Sequence, residues 1–238
     1  MINQKNVVIA LSMIAIVLLS VLLMSFFSHE SEAERLNITE SSLAFKAEME
    51  HHNGLINEDD IGQRVFITLD IPSHNPMVYA SYLDIFKLLE NGTGVILFGS
   101  AICPWSRNFI PVLVDAAIEF GLKEILFLDI LEDRDEKELD NRGRIETIKE
   151  GNEDYHRLLK ALNEFIPAYR DLNDPNIKRI YLPTAVFVKD GVVLGIVSAN
   201  DMINFNNRTD GNPYEIMNEI EKDTLLGIFI NRFEEVFR

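Results

Sequence analysis

The sequence predicts an α/β protein: a sheet containing parallel strands, with helices on both faces, behind one N-terminal transmembrane helix. Three observations carry that prediction. Two runs of strand length, "GVILFGS" (94–100) and "EILFLDI" (124–130), are apolar almost without interruption, the pattern of strands buried on both faces. Segments with apolar residues at helical spacing alternate with strand-like ones. Val7 to Phe27 carries no charge, glycine or proline.

That last run comes first in the chain. At about 1.5 Å per residue it matches a hydrocarbon core of about 30 Å. It exceeds the apolar part of a cleaved signal peptide, commonly about 7–15 residues. Lys5 precedes it, and Glu30, Glu32 and Glu34 follow. Positive charge stays inside, so the remainder is expected outside the cell membrane. Residues 1–28 are read as the anchor. Residues 29–63 are polar and irregular, a juxtamembrane stalk with room for a short helix near 41–50. The folded domain is expected over 64–238, with an insertion at about 131–180.

Within that domain, "RVFITLDI" (64–71) has strand composition. Leu83, Phe86 and Leu89 mark a helix over 82–90. Strand 94–100 then leads into a helix from Pro104 to Phe120, with proline in the first turn and Gly121 just past the end. Strand 124–130 follows. Tyr155, Leu158, Leu159, Leu162 and Phe165 share one face of a helix inside the insertion. "TAVFVK" and "VVLGIV" flank Asp190-Gly191, a tight-turn pair, and so form a hairpin. A final amphipathic helix is expected from Asn212 as cap and Pro213 as first residue.

Composition narrows function. With a net charge of -16 in 238 residues, the chain lacks the cationic surface that nucleic acid requires, and no nucleic-acid partner is expected. A single cysteine, Cys103, excludes an internal disulfide, so any redox step must be intermolecular. Cys103 precedes Pro104, Trp105 and Ser106 at the start of a helix, and the two catalytic candidates are Cys103 and Ser106, whose hydroxyl is expected to donate a hydrogen bond to the sulfur. Unpaired N–H groups and the helix dipole there favour a thiolate. Trp105 and Pro104 offer an apolar patch to a partner.

This element order, with "ICPWS" where a strand turns into its helix and "YLPTAVFV" (181–188) about eighty residues later, resembles the thioredoxin-like superfamily. A narrower resemblance is to membrane-anchored thioredoxin-like proteins of Gram-positive bacteria, related to bacteriocin transport accessory proteins. It lies in "NPMVYASY", "GTGVILFG", "CPWSRNFIPVL" and "LPTAVFVKDG". The resemblance implies a thioredoxin fold, a cis peptide at Leu182-Pro183 beside Cys103, and a partner-binding role for Leu182 and Pro183. It also implies a second cysteine where this chain has Ser106, and in many relatives an acid where it has Leu97. Serine cannot resolve a mixed disulfide. The expected activity is therefore monothiol exchange, or thiol-dependent partner binding, with a protein or small-molecule thiol or disulfide. The alternative is a redox-inactive binding, chaperone-like or export accessory module.

Other signals point to no chemistry. "LDILEDRDEKELD" (128–140) lacks the glycine and spacing of a calcium loop and reads as a solvated segment. His51-His52 lacks a third ligand. No cofactor and no metal ligand set is expected.

Overall fold

The computed structural model describes residues 38–205 and 211–238, without the side chains of 203–205. The expected membrane span 7–27 lies outside the described residues. Among the described residues no helix is long and apolar enough to cross a membrane.

One compact unit runs from Glu40 to Arg238, so part of the segment expected as stalk packs with the residues expected as the domain. Helix α1 (Glu40–His51) turns Ser42, Phe45 and Met49 to one side, all fully buried. Spaced by three and four residues, they form a narrow stripe that the surrounding charges hide in the sequence.

The stretch 64–71 is not a strand, apart from one isolated bridge between Ile56 and Val65. Arg64 and Phe66 pair with the backbone of residues 54–57, and beyond them side chains take over. Asn53 Nδ2 donates to Leu69 O at 2.8 Å and Asn53 Oδ1 accepts from Leu69 N at 2.9 Å. Glu50 accepts from Ile71 N at 2.8 Å. The edge strand is the shorter β1 (Met77–Tyr79).

Helix α2 (Tyr82–Asn91) starts at a reciprocal Ser81–Asp84 capping box and buries Ile85 and Phe86. Strand β2 (Gly94–Phe98), helix α3 (Pro104–Phe120) and strand β3 (Ile125–Leu128) follow. The insertion holds an unexpected hairpin, β4 (Glu136–Leu139) with β5 (Ile145–Lys149), and helix α4 (Glu153–Ala161). Strands β6 (Thr184–Lys189) and β7 (Val192–Ser198) form the expected hairpin, with Asp190 and Gly191 at φ 51° and 77°. A Cβ on Gly191 would stand 2.5 Å from the Glu90 carbonyl oxygen, so the turn admits only glycine there. Helices α5 (Ala199–Phe205) and α6 (Glu219–Phe237) complete the chain.

The main sheet has the order β1-β3-β2-β6-β7. β1 and β2 run parallel to β3, and β6 and β7 continue antiparallel. Side-chain alternation sends Val95, Leu97, Phe127, Ala185 and Phe187 to one face, against residues of α1, α3 and α6. It sends Ile96, Phe98, Val186 and Val188 to the other, against residues of α2 and α4. The protein is thus a mixed α/β fold with a core on each side of a five-stranded sheet. Phe109 of α3 meets Phe229 of α6 edge-on, ring centroids 5.0 Å apart. Truncating a buried aromatic of this kind costs about 3–5 kcal/mol.

The last helix begins later than expected. Asn218 caps it, with Glu221 closing a capping box. Buried Asn108 holds the preceding segment out of helix: its Nδ2 donates to Pro213 O and Glu215 O, and its Oδ1 accepts from Met217 N.

Candidate functional site

The turn from β2 into α3 is tight because Gly99 carries no side chain. A Cβ there would stand 3.2 Å from Phe127 and 3.7 Å from Ser106 Oγ. Cys103 caps α3 without a side-chain capping bond, with Pro104 in the first turn. Cys103, Pro104 and Trp105 are half-buried, whereas Ser106 is fully buried.

The Cys103 thiol donates to Leu182 O at 3.5 Å, and the Leu182-Pro183 peptide is cis. The structure therefore brings Cys103 and the 182–183 turn together from residues 79 apart in sequence. The Ser106 hydroxyl does not serve the sulfur. It faces inward and accepts from Ser100 N at 3.4 Å. Trp105 packs toward the α3/α6 core, with its ring 3.7 Å from where a Cβ on Gly211 would lie, while Cys103 packs toward the opposite core. Leu182 and Pro183 are buried. Their carbonyls are occupied: Leu182 O by the thiol and Pro183 O by Ala199 N at 3.1 Å.

Two arginines near Cys103 were not legible as site residues. Arg107, four positions along α3, is fully buried. Its five N–H groups are all engaged. Nε and Nη2 donate to Ile67 O at 3.2 and 2.8 Å. Nη1 donates to Met49 O at 2.7 Å and Ala101 O at 3.2 Å, and Nη2 also to Asn53 Oδ1 at 2.6 Å. Among the described residues no carboxylate pairs with it, and burial lowers its pKa to about 10. It ties α1 and segment 67 to the loop that carries Cys103.

Arg134 approaches from the acidic run of the insertion. Its Nη1 donates to Ile180 O at 3.4 Å, two residues before Leu182, and its buried Nε has no partner. Burial, then neighbouring Arg179, push its pKa down; Tyr155, the Cys103 sulfur and Asp129 pull it up. No three His, Cys, Asp or Glu side chains form a metal cluster among the described residues.

Comparisons with protein-family models, curated proteins and solved structures found no match for this chain.

Proposed function

We propose that the protein is a monothiol thioredoxin-like module that captures a partner through a mixed disulfide at Cys103, held outside the cell membrane by its 7–27 run. The observation that supports this best is the convergence of a helix-capping cysteine, a cis Leu182-Pro183 peptide and the Arg134 charge around one half-buried sulfur. In the reaction, the Cys103 thiolate attacks a disulfide R–S–S–R′. A Cys103–S–S–R bond forms, the S–S bond breaks, and R′S⁻ leaves with the electron pair and takes a proton from water. A second thiolate, from a small thiol or another protein, then attacks the mixed disulfide and releases Cys103. Ser106 cannot take that second role. Capture has one structural effect: a disulfide sulfur has no hydrogen to donate. Leu182 O is then freed to accept an N–H from the captured chain.

A second reading has its own support. A partly covered sulfur that donates to a carbonyl is also what a structural cysteine does, and that favours a redox-inactive binding module. The deciding experiment treats the full chain with hydroxyethyl disulfide across pH 6–9. Mass spectrometry should find an adduct on Cys103, discharged by added thiol. In the Ser106→Cys variant an internal disulfide should form and insulin reduction should turn over. Absence of both adduct and internal disulfide would leave the binding module. Protease added to intact cells should shave off the folded unit, and protection of that unit would reject the outside orientation.

A further inference from the structure

The insertion carries a second cleft, of about 460 Å³, which shares none of its lining residues with the Cys103 site. Volumes of this order accommodate a small organic molecule. Its walls come from the β4 end, the outer side of α4 and the segment 176–178. The polar lining includes Asp135, Lys137, His156, Lys160, Asn163 and Lys178.

Charge distinguishes the cleft from the rest of the molecule. The chain is strongly acidic, yet three lysines meet here around one carboxylate. Lys137 Nζ pairs with Asp135 Oδ2 at 2.8 Å. Lys160 and Lys178 take part in no ion pair among the described residues. With the Asp135–Lys137 pair neutral overall, the cleft keeps two uncompensated cations.

Asp135 supplies the second requirement. It is only 1% exposed, and its Oδ1 has no hydrogen-bond partner. A buried carboxylate oxygen without a donor is costly and uncommon. Its residue is otherwise well fixed: Oδ2 is held by Lys137, and its backbone oxygen accepts from Arg179 Nη1. The lining of the cleft therefore includes two cations and one carboxylate whose Oδ1 has no partner.

We propose that this cleft binds a small organic acid that also carries a hydroxyl or ammonium group. The carboxylate lies against Lys160 and Lys178, and the hydroxyl or ammonium donates to Asp135 Oδ1. An acid without that donor satisfies the lysines and leaves the aspartate oxygen unpaired.

Calorimetry on the full chain tests this with three probes of nearly equal size. Malate and aspartate carry a donor, and succinate is the same diacid without one. Malate or aspartate should bind at least about tenfold more tightly than succinate, the difference one charge-assisted hydrogen bond makes. The Lys160→Gln/Lys178→Gln double variant, changed at lysines with no ion pair, should weaken every probe by about tenfold or more. Asp135→Asn should bring malate and aspartate close to succinate. Should that variant not fold, the donor requirement still stands or falls on the wild-type preference over succinate. No binding of any probe up to about 10 mM, equal binding of all three, or unchanged binding by the double variant would overturn the proposal. Cys103→Ala should leave all three affinities unchanged, so the outcome is independent of the thiol chemistry.

Discussion

The two sides of the Cys103 loop each contribute a guanidinium, and they use it in opposite ways. On the α1 side, Arg107 spends all five N–H groups on carbonyls and Asn53. On the insertion side, Arg134 makes one long bond and leaves its Nε unpaired. Both are shifted downward by burial. A saturated guanidinium is a structural tie, because every donor is already committed. An unsaturated one keeps charge available for a reacting group. Burial alone does not distinguish the two; the hydrogen-bond count does.

The largest effect should follow from cutting the tie. Arg107→Leu leaves the carbonyls of Met49, Ile67 and Ala101 without that donor and should cost about 3 kcal/mol or more in denaturant unfolding. Arg107→Lys should recover less than half, since an ammonium has three donors and no planar fork. A loss within about 0.5 kcal/mol, the size of an ordinary surface substitution, would erase the contrast. Next comes Arg134→Gln. It should slow formation of the Cys103 adduct by roughly threefold to tenfold, more at low salt, while stability changes by less than about 1 kcal/mol. Equal rates in the variant and the parent would return Arg134 to a packing role. Cys103→Ala should remove the adduct and cost less than about 1.5 kcal/mol, because only a small group on a half-buried residue is lost. A larger loss would mark the sulfur as structural.

The smallest effect belongs to a third, solvent-exposed arginine. Arg64 clasps Asp60 and lowers its pKa from 3.8 to about 2. A carboxyl lowered in the folded state contributes stability that is complete above 3.8 and is lost as pH falls toward about 2. Amide exchange in the 57–64 turn should therefore rise between those values, and Arg64→Gln should flatten the change. A turn that loosens equally in both proteins would show the pair to be inconsequential.

Local pattern made part of the fold legible. Apolar runs gave β2 and β3, Asp190-Gly191 gave the hairpin, and Pro104 with Gly121 gave both ends of α3. What stayed hidden depends on distant partners. "RVFITLDI" has strand composition, but it pairs with residues 54–57 only at its start, and Arg107, Asn53 and Glu50 take up backbone groups of Ile67, Leu69 and Ile71. The segment after Asn212 has helix-start residues, but Asn108, more than a hundred positions earlier, holds it in an isolated turn. In the site, the pairing of Cys103 with Leu182 was anticipated through the cis proline. The inward turn of the Ser106 hydroxyl and the reach of Arg134 out of an acidic run were not, since neither leaves a periodic trace in the sequence.

The outer edge of β1 bears on how this protein behaves in concentrated solution. Ile125 N donates to Pro76 O and Ala80 N donates to Phe127 O, which leaves Met77 and Tyr79 facing away from the sheet. Their N–H groups are not bare. Met77 N donates to Asn75 Oδ1 at 3.1 Å, and Tyr79 N donates to Ser41 Oγ of α1 at 3.0 Å. Helix α1 thus works as a stopper on an edge that could otherwise recruit another chain's strand. A recombinant version begun at residue 64, the domain start that the sequence predicts, would uncork that edge and strip Phe45 and Met49 from the core. It should precipitate at concentrations where a version begun at residue 38 stays monomeric by light scattering.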